Sequence, residues 1–201
     1  MQIFTKNYWK ESLLNFTKVK SIALMSILMG VCVVVGGTCS YFPVRIFDRE
    51  MSLLFIFWPI IACLFGPIPT MLIAGLVDLL VFFLFPSGYP MYIGYTFTQM
   101  LIGLINGLFF YKSKISIIKL LLAKFIINFG IHVGIESLFM ADISNFTFEA
   151  YRTFVIGGLV KNGIFLPIEV TIMVIVMGAL LPAFRTLKIC DEKYTDKVHL
   201  I

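Results

Sequence analysis

The sequence predicts an all-α membrane protein, a compact bundle of six transmembrane helices with both termini in the cytoplasm, and three observations carry that expectation. Of the 201 residues, 60% are hydrophobic and only 13% charged, whereas a soluble domain is about half apolar and a quarter charged. The apolar residues gather into runs of membrane-crossing length, broken by glycine and proline. The basic residues crowd the segments on one side of those runs, the asymmetry that sets orientation in a bilayer.

Taken in order, a basic arm with Lys6, Lys10, Lys18 and Lys20 precedes the first apolar run, residues 22–37. No small-residue cleavage site follows that run, so it reads as a retained helix. A polar stretch, 41–52, leads to a second run, 53–65, ended by Gly66-Pro67-Ile68-Pro69-Thr70. A third, 71–85, is ended by Pro86-Ser87-Gly88-Tyr89-Pro90. Glycine and proline halt helices at both places. Runs 91–111, 115–140 and 154–184 complete the set, with Pro167 as a kink in the last. The second and third runs are short, and a rival count merges them into a re-entrant pair shielded by protein.

Charge favours six crossings. With the N-terminus inside, cytoplasmic segments hold eleven basic residues (Lys6, Lys10, Lys18, Lys20, Lys112, Lys114, Lys119, Arg185, Lys188, Lys193 and Lys197) against three outside (Arg45, Arg49 and Arg152). The chain then divides into a cytoplasmic arm, 1–20, a transmembrane domain, 21–184, and a cytoplasmic tail, 185–201, in a cell membrane. The net charge of +5 suits an anionic inner leaflet better than nucleic acid, because the basic residues form no continuous face. Cys32, Cys39, Cys63 and Cys190 are scattered, with no CxxC pair and no disulfide framework, so no metal site is expected.

Lys124, Asn128, His132 and Glu136 recur every four residues in the fifth run, which stacks them on one face of an α-helix. Ionisable groups inside a membrane mark function by default, and His132 and Glu136 lie toward the outer end. The plainer reading is interhelical bonding, such as Lys124 with Asp78. Asp78 itself reads as a structural pairing group in the third run. Lys161 and Arg152 lie toward the outer side and could receive a carboxylate, Arg152 bidentately, or simply snorkel. Tyr89, Tyr92, Tyr95 and Gln99 could stack on and hydrogen-bond a flat heterocycle; an aromatic belt explains the tyrosines equally well. The chain contains no phosphate-cradling G-x-x-x-x-G-K-[ST], no zinc-holding H-E-x-x-H and no nucleophile elbow.

Several motifs follow one another in a telling order and spacing: Phe65-Gly66-Pro67, Gly75-Leu76-Val77-Asp78, Leu84-Phe85-Pro86-Ser87-Gly88, Phe97-Thr98, Gly103-Leu104-Ile105-Asn106-Gly107-Leu108-Phe109-Phe110-Tyr111-Lys112 and Lys161-Asn162-Gly163-Ile164-Phe165-Leu166-Pro167-Ile168-Glu169. Together they resemble the substrate-binding S components of energy-coupling factor vitamin transporters, the folate branch above all, over about residues 23–177. The chain departs from that branch in its fifth helix, where Asn128 is followed by His132-Val133 rather than by a second asparagine and a threonine. It also has Ile27 where the family's first helix often has the second alanine of Ala-x-x-x-Ala after Ala23; Ser26 and Gly30 supply a small-x-x-x-small pair instead.

The resemblance implies a non-catalytic vitamin-capture subunit without a cofactor. Its site would take in Arg45, Tyr89, Tyr92, Tyr95, Gln99, Asn128, His132, Glu136, Arg152 and Lys161. The loop with Arg45, Asp48, Arg49 and Glu50 would be a lid, or else a solvated turn. Ala23, Ser26 and Gly30 would face a transmembrane coupling protein that works with two cytoplasmic ATPases. Folate or a reduced folate is the expected solute, with pantothenate or riboflavin as alternatives. Two further readings are a membrane enzyme using His132 and Glu136 as acid and base, and an assembly factor that binds no solute.

Overall fold

A computed structural model describes residues 6–46, 49–86 and 91–186. Helix α1 (Lys6–Leu14) leads into α2 (Val19–Tyr41), then a small antiparallel hairpin, β1 (Val44–Ile46) with β2 (Arg49–Met51), in which Arg45 lies opposite Glu50. A 3-10 turn, Leu53–Ile56, runs into α3 (Phe57–Phe65), followed by α4 (Pro67–Leu84) and α5 (Ile93–Phe110). One rod then combines α6 (Ile117–Phe125), a π-helical segment (Ile126–Ile135) and α7 (Glu136–Ser144). The long α8 (Phe148–Thr186) closes the described chain and runs on through Pro167 and Pro182.

Among the described residues five helical stretches are long and apolar enough to cross a membrane: Val19–Tyr41, Pro67–Leu84, Ile93–Phe110, Ile117–Ser144 and Phe148–Pro182. Leu53–Phe65 is apolar but shorter, about 20 Å at 1.5 Å per residue against a hydrocarbon core of about 30 Å. Its neighbours explain how a short helix can sit there. Trp58, Pro59, Ile60, Ile61, Ala62, Cys63 and Phe65 are all buried, and α3 feeds both hydrophobic clusters of the molecule. One cluster joins it to Phe110, Leu120, Met173 and Met177; the other to Met25, Val33, Ile73, Val77 and Ile131. Outward-facing Ile27, Val34, Phe83, Val160 and Ile175 stay exposed, as a lipid-facing surface requires.

The break between α3 and α4 is a glycine's work. Gly66 has φ +90, which a side chain resists, and Pro67 then starts α4 where its missing N–H costs nothing. The N-terminal residues, expected as a basic arm, contain a docked helix that seals this break. Asn15 Nδ2 donates to Phe65 O at 2.9 Å, and Ser12 Oγ donates to the same carbonyl at 3.3 Å while accepting from Ile68 N at 3.4 Å. Tyr8 donates its hydroxyl to Gly107 O at 3.0 Å, and Glu11 pairs with Lys112.

Helices α4 and α5 approach almost backbone to backbone. A Cβ on Gly103 would lie 2.6 Å from Thr70 O, and one on Gly107 would collide with the backbone of Pro67. Small residues four apart are how membrane helices pack this tightly. This α1 end of the bundle is closed; the opposite end is not.

Candidate functional site

At the end remote from α1 the helices enclose a cavity of about 1150 Å³. Its walls are the last turns of α2 (Gly36, Cys39, Ser40), α4 from Ala74 to Val81 (with Val77 and Asp78), α5 from Tyr95 to Asn106 (with Gln99 and Ile102), the π segment with α7, and α8 from Glu149 to Glu169. Pro43 and Ser52, which flank the hairpin, border it too, and Trp58 and Phe55 reach it from below.

The floor is ionic. Lys124 Nζ lies 3.0 Å from Glu169 Oε2, and Asn128 Nδ2 donates to the same oxygen at 2.8 Å. Lys124, Asn128 and Glu169 are only 4%, 1% and 7% exposed. Charges this deep persist only when paired and hydrogen-bonded. The Lys124 ammonium also sits 4.8 Å from the centre of the Phe55 ring. The pairing of Lys124 with Asp78, open from sequence, is not the one formed: α6 packs on α8, which presents Glu169, whereas Asp78 on α4 faces α5 and accepts from Thr96 Oγ1 at 2.6 Å.

The wall above the floor holds a second network. His132 Nδ1 is 2.8 Å from Glu136 Oε2, and Thr98 Oγ1 donates to Glu136 Oε1 at 3.0 Å. Tyr95 donates to Met140 Sδ at 3.7 Å. Lys161 projects from α8 at the same cavity, with its ammonium 5.8 Å from the Phe165 ring.

Asn128 and His132 both lie in the π-helical segment. Its i→i+5 hydrogen bonding widens the turn, and such segments are rare and gather at functional sites. The stripe expected of a regular α-helix is therefore divided: Lys124 and Asn128 build the floor with Glu169, and His132 turns to Glu136 on the wall.

Of the residues singled out from sequence, the structure brings Tyr95, Gln99, His132, Glu136 and Lys161 to the cavity. Asn128 lies beneath it. Tyr92 packs against Tyr95 and Phe139, with ring centres 5.9 and 5.3 Å away, and its hydroxyl donates to Asp142 at 3.5 Å. Arg152 is exposed on α8, between Ala150 and Thr153, which do line the cavity. Arg45 sits in β1, beside Pro43 at the border. Tyr89, Asp48 and the tail from residue 187 lie outside the described residues. Ala23, Ser26 and Gly30 are exposed on α2 away from the cavity, and a Cβ on Gly30 would meet nothing within 4 Å.

Sequence reasoning missed Trp58 and gave Glu169 no role of its own. An acid in the middle of the last apolar run was itself a signal; Trp58 offered none. Among the described residues no group of three His, Cys, Asp or Glu could hold a metal ion.

The fold and this cavity define a polytopic helical membrane protein with a ligand-sized chamber at one end. No family model matches the chain. It is 28% identical over 112 residues to the folate transporter FolT of Clostridium novyi (strain NT), an alignment covering 55% of this chain and 62% of that protein, so less than two thirds of the relative is spanned. It is 26% identical over 143 residues to the folate transporter FolT of Leuconostoc mesenteroides subsp. mesenteroides, covering 70% of this chain and 77% of the relative. A crystal structure of FolT bound with folic acid superposes with a TM-score of 0.64 at 29% identity, over 76% of this chain and 88% of that one. The chain is thus similar in sequence and in fold to these folate transporters.

Proposed function

We propose that the chain captures folate, or a related pterin, from outside the cell for an energy-coupling factor importer. One observation carries this reading: the cavity stands at one end of a bundle that superposes on FolT bound with folic acid. Its volume, about 1150 Å³, suits a ligand larger than a single heterocycle, since pockets for drug-sized ligands run from about 300 to 1,000 Å³. Trp58, Tyr95 and Phe55 supply faces for a flat ring, and Lys161 supplies a cation for a carboxylated tail.

In this reading Leu53–Phe65 is a short second crossing. It begins beside the cavity-lining Ser52 and ends at Phe65, whose carbonyl α1 binds at the other end. Six crossings then put the arm, 1–20, and the tail, 185–201, on the cytoplasmic side of the cell membrane, with the domain 21–184 between them and the cavity mouth outside. The chain hydrolyses nothing itself; a transmembrane coupling protein docks on Ala23, Ser26 and Gly30, and two ATPases drive uptake. Arg45 and Arg152 would be further cations for the tail.

Isothermal titration of the purified chain with folic acid, pantothenate and riboflavin tests the solute. Saturable one-to-one binding of folic acid is expected, and binding of another vitamin in its place would overturn the assignment. Orientation is tested by labelling Cys190 and a cysteine placed at Ser113 with an impermeant thiol reagent. Both should react only in inside-out vesicles.

A further inference from the structure

The ionisable groups around the cavity do not all cancel one another. Lys124 is paired with Glu169 and His132 with Glu136, and both oxygens of Glu136 already have partners. Glu149 stands exposed at the mouth. Among the described residues this leaves Asp78 on α4 as a cavity-lining carboxylate without an ion partner. Thr96 donates to its Oδ2 at 2.6 Å, and no donor among the described residues reaches its Oδ1.

A carboxylate carries about four lone-pair sites. One hydroxyl fixes its rotation and leaves most of those sites unused, in a half-buried position where an unanswered acceptor is costly. Two parallel N–H donors fit the two oxygens of a carboxylate as the fork of a guanidinium does. We infer that Asp78, oriented by Thr96, reads a planar heterocycle through an amidine-like edge, a ring N–H beside an exocyclic amino group. Val81, Ile102 and Trp58 line the same cavity and offer apolar surface for the ring. This rests on the folate reading and deepens it, since the pterin of folic acid presents such an edge; it makes Asp78 a specificity-determining residue and Thr96 its positioning residue.

The test edits ligand and protein together. The full chain in lipid nanodiscs is titrated with folic acid and with its analogue in which hydrogen replaces the 2-amino group. The unmodified chain should prefer folic acid by roughly ten- to a hundredfold, the range for a hydrogen bond to a charged group. Asp78→Asn keeps the shape but puts a donor against the ligand's donors, so it should erase most of that preference, weakening folic acid far more than the analogue, which has only the ring N–H to lose. Thr96→Val should reduce the preference in part.

Equal affinity of the unmodified chain for both ligands overturns the inference and needs no variant. Equal weakening of both ligands by Asp78→Asn overturns it as well, since that marks a structural role. Failure of the unmodified chain to bind folic acid at all brings down the folate reading and this inference with it; binding without the preference brings down this inference alone.

Discussion

At the closed end of the bundle, polar side chains serve the backbone. Ser12 and Asn15 bind the carbonyl that Gly66 leaves without an α-helical partner, and Tyr8 binds that of Gly107. At the open end they serve one another, Lys124 and Asn128 with Glu169, His132 and Thr98 with Glu136, and Asp78, Gln99 and Lys161 face a void. A membrane interior penalises an unanswered polar group at either end. The closed end answers within the chain, so substitutions there should act on stability; under the proposed function the open end leaves answers to a ligand, so substitutions on its walls should act on binding.

The largest expected effect breaks the closed end. Gly107→Leu drives a side chain into the Pro67 backbone, which cannot step aside as a flexible side chain can. The variant should fail to accumulate as a monodisperse protein on gel filtration. Gly30→Leu, where nothing lies within 4 Å of the added Cβ, should elute and melt like the parent chain. If Gly107→Leu behaved as Gly30→Leu does, the close packing of α4 on α5 would be wrong.

Next in size is the cavity floor, where two buried charges are paired with each other. Removing one member of a buried ion pair strands the other, at about 3–5 kcal/mol, whereas replacing both by apolar residues is often neutral. Glu169→Leu should therefore lower the unfolding midpoint strongly, and Lys124→Met with Glu169→Leu should recover most of the loss. Additive losses in the double variant would mean that the two residues do not act as a pair. Binding separates floor from wall: His132→Ala and Glu136→Ala should weaken folic acid by roughly tenfold or more with smaller effects on melting.

The two regions also differ in how far they could be read from sequence. Hydropathy located the helices to within a few residues, the first at 22–37 against Val19–Tyr41, because a lipid-facing helix advertises itself by composition alone. It could not reveal α1. That helix docks on a carbonyl exposed by a chain break fifty residues away, and its own pattern reports only a polar, basic segment. On the open side, the ionisable residues inside the spans were visible one by one, and His132, Glu136 and Lys161 did converge. Which of them meet is a matter of helix packing. Lys124 had acids available in two spans, and only the seating of α6 on α8 selects Glu169 over Asp78. The π-helical turn was equally hidden, since every residue of Ile126–Ile135 is compatible with an ordinary α-helix.

The smallest expected effect belongs to Tyr8, which lies outside the spans on α1 and meets α5 at Gly107. Burial, reinforced by nearby Tyr111, pushes the Tyr8 hydroxyl well above the usual tyrosine value, so the docked residue keeps the proton it donates to Gly107 O. Below about pH 10, the ordinary tyrosine value, docked and undocked forms are both protonated and the contribution of Tyr8 is complete. As pH rises further the undocked tyrosine ionises while the docked one does not. Undocking is then favoured, and stability falls with pH. Tyr8→Phe removes the hydroxyl and the titration together. At pH 8 it should cost about 0.5–1.5 kcal/mol, the usual net value of one hydrogen bond. Between pH 8 and 10.5 the parent chain should then lose more of its unfolding midpoint than the variant does, and comparing the two cancels the titration of the other tyrosines. Parallel losses across that range would mean that Tyr8 does not hold α1 in place through its hydroxyl.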